Sequence, residues 1–255
     1  GKDSLAVFTN VVSPWNLTSK VFKQIFSLQS VDEKGDWSKY VLFPAVFKKA
    51  GYHVSFLSNQ FPYGINYTPD WTNNLVGGFF LNHPQLNKQM FDYRNVMIHN
   101  YDENLLNDYK GIISYKKPQL IIFHLLGQHF QYSLRCKSNM KKFGIKDYKR
   151  MDLTDKEKQT IADYDNATLY NDFVLNKIVE QFRNKDAIIV YLSDHGEDCY
   201  GKDVNMAGRL TEVEQINLRK YHEEFEIPFW IWCSPIYKQR HRKIFTETLM
   251  ARSNK

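Results

Sequence analysis

The stretch 155–182 and the apolar run 187–192 that follows almost at once constrain this chain more than any other feature. Leu169, Phe173, Val174, Ile178 and Phe182 recur at three- and four-residue spacings, which marks one face of a helix. A helix with such a face must bury it, and the strand arriving directly afterwards provides a sheet to bury it against. The same alternation occurs earlier. Residues 40–50 suit a helix closed by Gly51, and 53–58 read as a strand ending at Asn59 and Gln60. Further strands are expected at 96–99, 119–126 and 227–232. Short strands alternating with helices form a sheet with helices packed on both faces. The expected fold is therefore α/β, a three-layer α/β/α sandwich with a mostly parallel central sheet.

Composition excludes several other classes. With 43% hydrophobic and 15% aromatic residues among 255, the chain has ample material for a buried core and is not of the disordered class. No repeat, low-complexity tract or linker divides it, so residues 1–255 are expected to form a single domain. The apolar runs 121–126 and 187–192 fall far short of the ~20 residues a membrane helix needs. A formal charge of +6 favours an anionic neighbour such as phospholipid headgroups. The basic residues form no concentrated tract, and no nucleic-acid partner is expected. Cys136, Cys199 and Cys233 are odd in number and include no C-x-x-C pair, which argues against a disulfide framework or a cysteine zinc site and leaves at most one bridge. Segments 59–88 and 196–224 read as long ordered loops, which in a compact domain are usually functional.

The strand at 188–192 runs straight into Ser193-Asp-His-Gly-Glu197. In open α/β sheets ligands bind beyond the carboxyl ends of strands, which is where Asp194 and His195 stand. Neighbours within a strand point to opposite faces, so the two can meet one ion only if the chain has already left the strand. Gly196 permits that turn. A carboxylate beside an imidazole gives mixed oxygen and nitrogen ligation, which suits zinc. The competing reading has Asp194 capping a turn and His195 as an ordinary loop residue. His124, inside a strand, reads as a core histidine, whereas His129 lies past the strand end and is the better functional candidate. Asn59 and Gln60 either bind substrate through amide hydrogen bonds or cap the turn before Pro62.

Four segments carry a resemblance. Tyr191-Leu-Ser-Asp-His-Gly-Glu197 resembles the S-D-H-G-E signature of the phosphoethanolamine transferases, and Phe123-His-Leu-Leu-Gly-Gln-His129 is similar to their H-x-x-G-S-H strand end. Tyr164-Asp-Asn-Ala-Thr-Leu-Tyr-Asn-Asp172 is similar to their Y-D-N-S-x-x-Y-x-D helix, and Glu226-Ile-Pro-Phe-Trp-Ile-Trp232 to their V-P-F-x-x-W strand. The segments occur in the family's order from Leu120 onward. Near the start, Phe8-Thr-Asn-Val-Val-Ser-Pro-Trp-Asn-Leu-Thr18 resembles the segment that leads to the catalytic threonine.

The resemblance implies an alkaline phosphatase-like fold and one zinc held by Thr18, Asp194 and His195. It makes Thr18 the nucleophile as well, a threonine alkoxide at neutral pH needing a metal or base to form. Read by itself, Thr18 is an N-cap for a helix over 19–26. His129 matches the histidine that contacts the phosphoryl group. Gly208-Arg209 stands where many members have Gly-His, so Arg209 is expected to bind phosphate in the histidine's place. The family's first strand, ending in a metal-binding glutamate, has no counterpart before Phe8. The chain is expected to lack that strand and a membrane domain upstream of it. The implied reaction takes phosphoethanolamine from phosphatidylethanolamine to a glycolipid or glycan acceptor, at the periplasmic face of a bacterial inner membrane. A sulfatase or phosphodiesterase on the same fold is the alternative, weakened because Cys233-Ser-Pro-Ile-Tyr237 has Tyr where a C/S-x-P-x-R motif has Arg. A binding module without turnover is a second.

Overall fold

The computed structural model describes residues 4–60, 84–112, 116–201, 206–209 and 218–251. They divide into two compact units, one from Gly1–Asn16 and Asp172–Lys255, the other Leu17–Asn171. The strands are β1 (Leu5–Phe8), β2 (His53–Ser58), β3 (Tyr93–Arg94), β4 (Gln119–His124), β5 (Ile188–Leu192), β6 (Asp198–Cys199), β7 (Ala207–Gly208) and β8 (Phe229–Cys233). The helices are α1 (Thr18–Phe26), α2 (Phe43–Lys49), α3 (Pro84–Met90), α4 (Leu105–Ile112), α5 (Asp155–Phe182), α6 (Leu218–Phe225), α7 (Pro235–Arg240) and α8 (Arg242–Ala251). Most of the expected 59–88 loop lies outside the described residues, as does Pro62.

In the unit 17–171, β2 is flanked by β3 and β4, both parallel to it. Every β2 residue after His53 is buried, as in a strand covered on both faces. Against it α1 lays Phe22 and Phe26; the Phe26 ring meets Phe56 at 5.8 Å, Phe43 at 5.6 Å and Phe91 at 6.0 Å. Each such ring contributes about 2–3 kcal/mol by leaving water. The register pairs His53 with Gln119 and Ser58 with His124. The two strands therefore end together, bringing Asn59 and residues 125–127 to one edge.

Two expected elements shift here for local reasons. The strand expected at 96–99 is absent, and Val96, Met97 and Ile98 are exposed. Asn95 accounts for this: its Oδ1 accepts from Ser58 N at 2.8 Å and its Nδ2 donates to Ser58 O at 2.8 Å, so a side chain takes the place of the ladder's next rung. The helix expected at 40–50 begins only at Phe43, because Leu42 is bridged to Ser27 and held extended.

In the other unit β8 lies between β1 and β5, antiparallel to both. Tyr191 stacks on Trp230 at 5.0 Å across the β5–β8 pair, with Trp232 and Cys233 buried. The expectation that Asp194 and His195 end a central parallel strand is corrected. Among the described residues the partner of β5 is β8, which runs the other way because the intervening chain returns at the end where β5 stops, placing Phe229 opposite Leu192. Among the described residues parallel pairing is confined to β2, β3 and β4.

Helix α5 has the expected bounds. Thr154 Oγ1 accepts from Glu157 N while Glu157 Oε2 accepts from Thr154 N, a reciprocal cap that fixes its start. Among the described residues no helix is long and apolar enough to cross a membrane. None of the three cysteines is in a disulfide.

Candidate active site

After one further ladder bond, from Ser193 N to Pro228 O at 3.3 Å, the backbone leaves the sheet. Ser193 Oγ donates to His195 O at 2.7 Å, and Gly196 N donates to Glu224 O at 2.8 Å, which draws the turn against the end of α6. The turn satisfies the condition set by strand alternation, for Asp194 Oδ2 and His195 Nε2 lie 3.3 Å apart.

The hydrogen-bond partners of the imidazole assign its protons. Nδ1 lies 2.7 Å from Gly196 O; a carbonyl only accepts, so Nδ1 carries a hydrogen. Arg209 Nη1 lies 2.6 Å from Nε2 and 3.5 Å from Nδ1 of the same ring. With Nδ1 held by the Gly196 carbonyl, Nε2 is the ring nitrogen beside Asp194. A nitrogen lone pair and a carboxylate oxygen side by side fit zinc as two of its donors. Among the described residues no three or more His, Cys, Asp or Glu gather to hold a metal.

Sequence reasoning missed the residues that support this pair. Ser13 Oγ donates to Asp194 O. Asn16 Nδ2 donates to Glu224 Oε2 at 2.6 Å, both side chains being buried, and Asn16 O accepts from Arg209 Nη1 at 2.8 Å. Asn16 lay within the segment leading to Thr18, but nothing in the sequence tied it to Glu224. Arg209 is delivered by the β6–β7 ladder, in which Asp198 pairs with Gly208; Gly208, at φ +122°, supplies a backbone turn that a side chain would strain.

Asp198 is 1% exposed and accepts from Gly201 N at 3.2 Å. Burial, with Glu223 and Glu224 nearby, pushes its carboxyl from 3.8 up to about 6. The native state therefore holds this proton more tightly than the unfolded chain, and stability falls as pH rises from about 4 to about 6. Asp198→Asn is expected to raise stability by roughly 1–2 kcal/mol at pH 7.5 and to change it little at pH 4, read from urea midpoints at the two values.

The other predicted site residues belong to the unit 17–171. Thr18 is the first residue of α1, and the cap position is Leu17, which makes no side-chain cap bond; the N-cap reading of Thr18 is corrected accordingly. His124 is a satisfied core residue, with Nδ1 2.9 Å from Ser58 Oγ and its ring 4.7 Å from that of Phe22. Asn59 is 3% exposed and spends its amide inside the protein: Nδ2 donates to Asp102 Oδ1 at 2.8 Å and Oδ1 accepts from His99 N at 2.6 Å. Gln60 N donates to Ser58 Oγ at 3.1 Å. His129 is half-buried, past a turn in which Gly127 adopts φ +53° and the amides of Leu126 and Gly127 donate to the Asp102 carboxylate at 3.0 and 2.8 Å. Asp102 is thus a further residue that sequence reasoning missed. His222 is exposed and pairs with Glu226 at 2.6 Å. It lines, with Phe8, Asn10 and Ile227, a groove of about 380 Å³ that includes none of the predicted site residues.

The sulfatase family model matches residues 2–251. This chain belongs to the sulfatase family. Its α/β fold is the one expected of that family. Among the relatives it resembles, phosphoethanolamine transferase EptC of Escherichia coli strain K12 is 30% identical over 253 residues, covering 96% of this chain and 41% of that protein. Phosphoethanolamine transferase CptA of Salmonella typhimurium strain LT2 is 30% identical over 254 residues, covering 95% and 41%. The crystal structure of the C-terminal periplasmic domain of EptC from Escherichia coli, in complex with Zn, superimposes with a TM-score of 0.74 at 27% identity, over 93% of this chain and 64% of that one. The chain thus spans about two fifths of the length of these full-length relatives.

Proposed function

We propose that this chain is the catalytic part of a phosphoethanolamine transferase that takes its group from phosphatidylethanolamine and passes it to a surface glycolipid or glycan through a threonine-linked intermediate. The observation that carries the reading is the convergence of Asp194 Oδ2 and His195 Nε2 just past the end of β5, with Nδ1 of the imidazole held by the Gly196 carbonyl. Thr18 is the residue assigned to complete the donor set, and zinc there would lower the pKa of the hydroxyl and offset charge on the phosphoryl oxygens.

Thr18 Oγ attacks phosphorus and gives up its proton. The bond from phosphorus to the diacylglycerol oxygen breaks, and that oxygen leaves as a hydroxyl after taking up a proton. An acceptor hydroxyl or phosphate oxygen then displaces Thr18 from phosphorus. His129 and Arg209 hold the phosphoryl oxygens through charge-assisted hydrogen bonds, and Gln60 supplies a further amide contact. Asn59 acts from behind, holding the β2 end to Asp102. A lipid donor places the reaction at a membrane surface, and the likeness to periplasmic domains supports the periplasmic face of a bacterial inner membrane.

Thr18→Ala is expected to abolish the covalent phosphoethanolamine adduct seen by intact-mass spectrometry with donor lipid, while shifting stability by about 1 kcal/mol, because Thr18 is only half-buried at the first turn of α1. An adduct persisting in the alanine variant would place the nucleophile elsewhere. The sulfatase alternative loses ground on a specific observation. Cys233 is 1% exposed at the end of β8, and Ser234 Oγ accepts from Tyr237 N at 3.0 Å as the cap of α7, so neither is placed to be an exposed nucleophile.

A further inference from the structure

The turn that delivers His129 is held from two sides. On one, the Asp102 carboxylate takes the amides of Leu126 and Gly127 at 3.0 and 2.8 Å. On the other, Arg135 folds back onto it: Nε donates to His129 O at 3.2 Å and Nη2 to Phe130 O at 3.0 Å. These two nitrogens form one edge of a planar fork, so a single side chain fixes two successive peptide groups. The reach back over six residues depends on Gln131, whose φ of +68° turns the chain into the short helical turn Tyr132–Leu134. Tyr132 is 4% exposed, with its ring 5.1 Å from that of Tyr164 on α5, which gives Arg135 a fixed base. Burial lowers the pKa of the guanidinium and the charge of Asp102 acts against it, so the two clamps on this turn also attract each other.

We propose that Arg135 is a positioning residue for the phosphoryl contact, acting through His129. The proposal rests on the reading of His129 as that contact. The peptide group before His129 is fixed by the histidine's own N–H, which donates to Leu126 O at 3.0 Å, and the peptide group after it by the bond from Arg135 to the histidine's carbonyl. A peptide group is planar, so fixing the planes on both sides of a residue sets its φ and ψ and with them the direction of its Cβ. Only two side-chain torsions then remain to bring the imidazole onto a phosphoryl oxygen. Without Arg135 the second plane is free to turn, and the histidine has to be ordered at the moment of binding, which weakens it.

The test uses the full-length protein, with phosphatidylethanolamine in mixed micelles as donor and the rate of adduct formation as the readout. Arg135→Ala is expected to raise the donor concentration at half-saturation about tenfold, the worth of one charge-assisted contact, and to leave the maximal rate within about twofold. A variant that merely folds less well contains less active protein, which lowers the maximal rate and leaves half-saturation alone. Arg135→Lys, able to hold one carbonyl at most, should fall between the parent and the alanine variant, and it carries the same test if the alanine variant does not fold. On a His129→Ala background neither substitution should change half-saturation further. A loss of maximal rate alone would overturn the proposal, as would a rise in half-saturation that persists without His129. The reading beneath it fails separately: if the parent forms no adduct, or if His129→Ala by itself leaves half-saturation unchanged, His129 is not the phosphoryl contact and the proposal falls with it.

Discussion

Asp102→Ala is expected to cost about 3–5 kcal/mol of folding stability, although Asp102 lies on neither of the strands it serves. One carboxylate satisfies three donors: Asn59 Nδ2 at 2.8 Å, Leu126 N at 3.0 Å and Gly127 N at 2.8 Å. Asp102 is 7% exposed and Asn59 3%, so water cannot readily replace the lost acceptors. Each donor left unsatisfied in such a place costs about 1–3 kcal/mol. Asp102→Asn keeps the shape and one acceptor oxygen but turns an NH₂ towards a backbone N–H, so its cost should be intermediate. Urea unfolding of the three proteins gives the order. An alanine variant as stable as the parent would mean the turn at Gly127 is held by something else. That turn carries the chain to His129, and with His129 in its proposed place on the phosphoryl oxygens the alanine variant should also show a raised KM.

What the sequence revealed and what it hid follow from the range of the interactions involved. The bounds of β2 and α5 agree with periodicity because burial of one face or of both decides them. The meeting of Asp194 and His195 was legible because adjacent residues need only a turn between strand and site, and Gly196 announces one. Side chains that reach far along the chain were not legible. Asn95 ends a parallel ladder through Ser58, 37 residues away, and nothing about an asparagine before Val-Met-Ile says so. Asp102 acts across 43 residues to Asn59, and Asn16 across 208 to Glu224. Thr18 looked like a cap because threonine favours that position, but the helix begins one residue earlier than the pattern suggests and Leu17 takes the place. The direction of β8 relative to β5 was hidden because a long connection can return a chain at either end of a strand. A strand's apolar run is the same in both senses.

Gly196→Ala should be the most damaging small substitution near the site, costing about 3–4 kcal/mol. A Cβ at this position would stand 2.0 Å from Glu223 O and 2.9 Å from the carbonyl carbons of Glu223 and Glu224. All three atoms are backbone, in a helix end that cannot rotate aside. Relief would require the turn at 193–197 to separate from α6, which breaks the bond from Gly196 N to Glu224 O and moves the carbonyl of Gly196 that fixes Nδ1–H of His195. Stability and ligation should therefore fail together: a lowered urea midpoint and weaker zinc binding. Gly201 is the control, because a Cβ there would also meet Glu223 at 2.0 Å, but at a carboxylate oxygen on an exposed side chain. That side chain can swing away, so Gly201→Ala should cost within about 1 kcal/mol. Equal losses in the two variants would show that the backbone of α6 yields as easily as a side chain, and that the close approach at Gly196 does not hold the site in shape.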